Sequence, residues 1–167
     1  MRLDSTFHSH KWMCICTKKA RCNLNKTSKV RFFRPDFFIF IEMRQNISSG
    51  APWEDQVGYC RAVRIGNIIE VSGTAPVRDG KVTGENAYEQ TKVCLEIIKE
   101  AIEQAGGKMS DVVRTRMYVT DISQWVVIGK AHGEVFGNIK PATTMVEVSS
   151  LIEKEMMVEI EATAIIS

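Results

Sequence analysis

The chain has 167 residues and a formal net charge of +2, a length that fits one domain with a core of ordinary size. The charge is unevenly spread, +6 over residues 1–42 and −4 over residues 43–167, so the body has the wrong sign for a nucleic-acid surface. No apolar run is long enough to span a bilayer, and the longest candidate, Phe37-Phe38-Ile39-Phe40-Ile41, is far too short.

Residues 1–42 carry nine Lys or Arg against three Asp or Glu and show neither helical nor strand periodicity. The plainest reading is upstream sequence before a true or alternative start at Met43. A mitochondrial-type transit peptide is the second, supported by Arg2, Arg21, Arg31 and Arg34 and opposed by Asp36 and Glu42. A zinc site from His8, His10, Cys14, Cys16 and Cys22 is the third, but a Cys-x-Cys pair is tighter than zinc motifs use and no second pair follows. The segment is expected to be poorly ordered, with one domain over residues 43–167. In that body, Cys60 and Cys94 form no disulfide framework, which points to free thiols in a reducing compartment. The expected location is the cytoplasm, or the mitochondrion if the extension is a transit peptide.

The body opens with residues 61–65 and 68–72 around Gly66-Asn67, a β-hairpin in which Gly-Asn supplies positive φ angles to a two-residue turn. The second strand is expected to end at Gly73. Pro76 then stops pairing, and Arg78-Asp79-Gly80-Lys81 is a turn in a surface loop. From Ala87 the positions Thr91, Cys94, Leu95, Ile98, Ala101, Ile102 and Ala105 recur at three and four, the apolar stripe of an amphipathic helix closed by Gly106-Gly107. Cys94 falls on that stripe and reads as a small core hydrophobe.

Val113, Thr115, Met117 and Val119 then alternate with Arg114, Arg116 and Tyr118, a strand with one apolar face and one basic, aromatic face. Asp121 and Ser123 are suited to cap a second helix from about Gln124. Trp125, Ile128, His132 and Phe136 mark one side of it, Gly137-Asn138 ends it, and Pro141 follows. His132 has no nucleophile or acid at a telling spacing and reads as a packing or surface residue. Two strands close the chain, residues 143–149 and 156–166. In the second, Val158, Ile160, Ala162, Ala164 and Ile166 face inward, and Glu159 and Glu161 face the other way.

The order strand, strand, helix, strand, helix, strand, strand predicts an α+β fold: one mixed sheet of five to six strands with two helices on one face. The uncovered face carries Glu159, Glu161, Arg114, Arg116 and Tyr118 and needs another layer, for which a partner subunit is the natural candidate.

Several stretches carry a resemblance: Val71-Ser72-Gly73-Thr74-Ala75-Pro76, the helix at 88–105, VVRTRMYVTD at 112–121, and P-A-x-x-x-V-E-V followed by V-E-I-E-A-x-A. Together they resemble the Rid family, the YjgF-like reactive intermediate deaminases, also labelled L-PSP endoribonucleases, over residues 48–166. The resemblance implies a chorismate-mutase-like homotrimer with three ligand clefts between subunits, and hydrolysis of small enamines or imines without metal or organic cofactor. It makes Glu159 the holder of the attacking water, and Tyr59, Ser72 and Gly73 the lining of the cleft. Met145 and position 143 belong to the same cleft.

One departure bears on specificity: where the best-known branch has an arginine directly after Pro-Ala, this chain has Thr143. An arginine fork grips a carboxylate through two charge-assisted hydrogen bonds, and a threonine hydroxyl offers one neutral bond. A replacement cation has three candidates, Arg116, Arg61 and Arg114, and strand parity favours Arg116. Each role also has a structural reading: Glu159 as an ion-pair partner, Ser72-Gly73 as a strand end, Tyr59 as an interface aromatic. The alternatives to a hydrolase are a trimer that binds small metabolites without turnover and, least favoured, an endoribonuclease.

Overall fold

The computed structural model describes residues 43–167, and the expectations for residues 1–42 lie outside the described residues. Its elements are β1 (Gln45–Ile47), α1 (Trp53–Val57), β2 (Ala62–Ile65), β3 (Ile68–Thr74), β4 (Val77–Arg78), β5 (Lys81–Val82), α2 (Ala87–Gln104), β6 (Val112–Val119), α3 (Trp125–Phe136), β7 (Ala142–Glu147) and β8 (Val158–Ile165). Six strands form one sheet in the order β1-β2-β3-β8-β6-β7, and β4 and β5 form a separate hairpin. Every pairing in the large sheet is antiparallel except β6 with β7. That one parallel pair requires a crossover, and α3 supplies it.

The expected α+β architecture and its seven-element order are present as β2, β3, α2, β6, α3, β7 and β8. Both long helices lie on one face. Cys94, Leu95, Ile98 and Ile102 of α2 share the core with Ile69 and Val71 of β3, Met117 and Val119 of β6, and Val158 and Ile160 of β8. Ile128 and Phe136 bring α3 into the same cluster. Helix α2 begins at Asn86, whose side chain accepts from Glu89 N. It ends with Gly106 N donating to Glu103 O and Gly107 N to Ile102 O, a Schellman closure. No helix among the described residues is long and apolar enough to cross a membrane.

Several local expectations are corrected. In the Gly66-Asn67 turn only Gly66 has positive φ, +62°, the geometry of a turn that needs glycine first. Strand β3 does not stop at Gly73 but runs to Thr74 through an irregularity between Val71 and Thr74. The turn at Asp79-Gly80 joins a true hairpin. Val113, expected inside, is 42% exposed. The register slips between Val112 and Arg114 opposite β8, and this bulge gives the inward position to Val112 and turns Val113 outward. Trp125 is exposed although it lies near the apolar side of α3. That helix ends in right-handed Gly137; the left-handed residue is Lys140, φ +55°.

One buried polar side chain ties the fold to the loop at 148–157. Gln90, 1% exposed, donates through Nε2 to Gly84 O and Glu155 O and accepts from Met157 N. Its amide therefore fastens that loop to α2.

Candidate active site

Glu159 sits on β8, in the middle of the sheet, and alternates with the buried Val158 and Ile160, so it faces away from the helices. Tyr118 of β6 lies opposite Glu159, and Arg116 opposite Glu161. On the other flank β3 bulges: Val71 pairs with Ala162 and Thr74 with Ile160, leaving Ser72 and Gly73 to oppose Glu161 alone. Such a bulge bends the strand and re-aims its neighbours. Here it brings Gly73 so close to the Glu159 carboxylate that an added Cβ would overlap Glu159 Oε1. A side chain at position 73 would have to push that carboxylate aside.

Arg61 holds the bulge from the other side. Its Nη1 donates to Gly73 O and to Thr74 Oγ1, both at 2.9 Å, and its guanidinium lies 5.8 Å from the centre of the Tyr59 ring. Ser72 donates its hydroxyl to Cys60 O at 2.8 Å. The segment before Tyr59 is pinned by Glu54, a carboxylate only 7% exposed that accepts from Ser48 Oγ, Ser49 N and Ser49 Oγ. Burial pushes that carboxyl up, but the serine hydrogen bonds and Arg61 outweigh it and hold it below the usual carboxylate range.

A groove of about 720 Å³ runs past these groups, lined by Tyr59, Arg61, Gly73 and Glu159, with Trp53 and Met156 among its apolar wall residues. Glu159 is half-buried. Burial raises its pKa above the ordinary value, the Glu161 charge adds to the rise, and Arg61 opposes it. Among the described residues no donor bonds its carboxylate. Its oxygens are therefore available to hold and partly deprotonate a water.

The groove thus gathers Glu159, Gly73 and Tyr59. Ser72 opens with Tyr59 and Glu54 on a second groove of about 470 Å³. Arg116 shares the sheet face with Glu159 but makes an ion pair at 3.2 Å with Glu161, both side chains well exposed. Thr143 and Met145 are elsewhere. They pair with Thr115 and Met117, which are buried on the helix side, so their side chains share that side. The Thr143 hydroxyl lies 2.9 Å from Thr115 Oγ1, and Met145 packs on the core. Within one protomer neither joins the groove.

The cation beside Glu159 is therefore Arg61 rather than Arg116. Its sequence signal is the two-residue spacing from Tyr59, which in extended chain puts both side chains on one side. Trp53 and Met156 carried no such signal. His132 lies on the helix side, with Nε2 3.0 Å from Thr115 Oγ1 and its ring 4.6 Å from that of Phe136; burial lowers its pKa. Burial raises that of the Cys94 thiol, which leaves it unreactive. Among the described residues no three His, Cys, Asp or Glu side chains are grouped to hold a metal ion.

A six-stranded α+β sheet with helices on one face and a carboxylate groove at a bulge of its central strands is the class that fold and site define. Residues 51–166 match the family model described as Endoribonuclease L-PSP. A RutC family protein of Pyrococcus abyssi is 37% identical over 108 residues, 64% of this chain and 84% of the relative. The solved structure of a Mycobacterium tuberculosis member of the YjgF/YER057c/UK114 family is 47% identical, with a TM-score of 0.70 over 74% of this chain and 100% of that one. A Yersinia pestis structure of a protein of unknown function from the conserved Rid protein family is 27% identical, with a TM-score of 0.65 over 74% of this chain and 100% of that one. The chain belongs to this L-PSP, YjgF or Rid family.

Proposed function

We propose that this protein hydrolyses small reactive imines or enamines to a carbonyl compound and ammonia, in a cleft completed by a second copy of the chain within a homotrimer. The observation that carries this reading is Glu159: half-buried, seated against Gly73 and without a hydrogen-bond donor among the described residues. Family membership supports it.

The chemistry follows from that carboxylate. An iminium carbon is already electrophilic, so water needs only to be oriented and relieved of a proton. Glu159 takes the proton as the oxygen bonds to carbon. Glu159 then returns that proton to the carbinolamine nitrogen and takes the hydroxyl proton as the C–N bond breaks, so that a carbonyl forms, ammonia leaves, and the last proton passes from Glu159 to the ammonia. Water is consumed, and nothing is oxidised or reduced.

The partner copy follows from the sheet. Among the described residues neither of the long helices α2 and α3 covers the face that carries Arg114, Arg116, Tyr118, Glu159 and Glu161, and β7 is an edge strand. Such a face and edge are covered in a stable assembly.

Imines generated in place from a panel of amino acids, and from amines without a carboxylate, test the proposal by release of carbonyl product. Turnover is expected for the wild type and lost in Glu159→Ala. Turnover that survives the substitution unchanged removes Glu159 from the role. A second reading, a metabolite-binding trimer without turnover, is favoured by Thr143, whose hydroxyl is engaged with Thr115; it predicts binding with no hydrolysis of any imine in the panel.

A further inference from the structure

Glu54 is the one buried charged side chain among the described residues, 7% exposed, and the hydrolytic mechanism does not use it. It sits in α1, a helix of five residues whose N-cap, Pro52, makes no side-chain cap. Little more than one turn long, such a helix has no stability of its own. What places it is Glu54. Oε1 of that carboxylate accepts from Ser49 N at 2.8 Å and Ser49 Oγ at 2.6 Å, and Oε2 accepts from Ser48 Oγ. Its main chain reaches the opposite way: Glu54 O accepts from Gly58 N at 2.9 Å and from Tyr59 N at 3.1 Å. One residue therefore ties both ends of the segment 48–59, and that segment carries Trp53 and Tyr59 into the groove. Trp53 is 61% exposed, so its own packing does not hold it there.

We propose that Glu54 is a positioning residue of the groove: its carboxylate closes the chain from Ser48 to Tyr59 into one unit and so sets where Trp53 and Tyr59 stand. Glu54 itself does not line the groove that holds Glu159, and it acts through those two side chains rather than on substrate. The proposal rests on the hydrolase reading for its kinetic consequence but not for the clamp. The two glutamates have opposite tasks. Glu159 has no donor among the described residues and is left to handle a proton. Glu54 has three donors on its oxygens, and charge-assisted hydrogen bonds of that kind fix geometry.

The test is amide hydrogen exchange on the full-length protein, followed by imine turnover, in the wild type, Glu54→Ala and Glu54→Gln. In Glu54→Ala the peptide 48–59 should exchange at least about tenfold faster, the loss expected when hydrogen bonds to a charged group go, with β6 and β8 protected as before. KM should rise by about the same factor while kcat falls less than about threefold, because the wall moves and the base does not. Glu54→Gln should restore most of both: it keeps one oxygen for Ser49, and its amide donates to Ser48 Oγ once that hydroxyl turns away. The acid limb of kcat/KM belongs to Glu159 and should keep its midpoint in both variants.

Unchanged exchange over 48–59 in Glu54→Ala overturns the clamp. So does an equal loosening of β6 and β8, which reports a general loss of stability. A loosened segment with KM unchanged overturns the positioning role, and a kcat that collapses in both variants makes Glu54 a participant in the chemistry. A wild type that turns over no imine defeats the hydrolase reading, and exchange then decides the clamp by itself.

Discussion

At the scale of the residue, Glu159 ties activity and stability in opposite directions. The fold favours its protonated form, since burial and Glu161 raise its pKa. The ionised form therefore costs stability, and stability contributed by the protonated acid is lost as pH rises through the folded pKa. Glu159→Gln should leave the melting temperature at neutral pH unchanged or raised, with any gain shrinking as the pH is lowered, while imine turnover falls by about 10²- to 10⁴-fold, the usual contribution of a general base. The wild type's kcat/KM should decline on the acid side with an apparent pKa above that of an ordinary glutamate, which a pH–rate profile checks. Gly73→Ala probes the same carboxylate without touching it. The new Cβ would displace Glu159 Oε1, so kcat should drop even though the acid is intact, while chemical denaturation should show little loss of stability because only the free end of a flexible side chain has to move. Glu159 itself is legible in the pattern V-E-I-E-A, because a period of two assigns it a face. The close approach of Gly73 to that carboxylate is not, because it depends on how near a neighbouring strand comes.

At the scale of the element, bulges decide which side chains serve the site. The slip between Val112 and Arg114 on β6 and the one between Val71 and Thr74 on β3 are single-residue events. They leave the alternating pattern readable on either side and reverse it locally, which is why Val113 was expected inside and Ser72-Gly73 at a strand end. The long helix was legible almost residue by residue, its whole expected stripe being buried, with Gln90 the one buried member the stripe omitted. A glutamine among hydrophobes is invisible to periodicity, because its amide is satisfied by a loop some 65 residues away. Gln90→Leu would leave Gly84 O, Glu155 O and Met157 N without their partners. We expect a loss of about 1–3 kcal/mol in denaturant unfolding. Since the loop also carries Ile152 and Met156 into the groove, KM should rise more than kcat falls.

At the scale of the whole molecule, the uncovered sheet face predicts the assembly. Light scattering should give the mass of three chains. Val146, 43% exposed, lies opposite Tyr118 on β7 and so on that same face. Val146→Asp places a charge where a sister sheet would pack, and should shift the protein toward monomer and remove turnover together. A variant that stays trimeric and active places the interface elsewhere.

By itself the sequence determined the class of fold, the order of its elements, the helix-covered and bare faces of the sheet, and the carboxylate on the bare face. These are consequences of periodicity, which acts over a few residues and is written locally. Only the tertiary structure decided that Arg61 rather than Arg116 is the cation beside Glu159, and that Thr143 and Met145 turn toward the helices. It also decided that Trp53 and Met156 wall the groove. Those facts depend on strand register, bulges and the approach of chain segments far apart in number, and no local pattern encodes a distance between two strands.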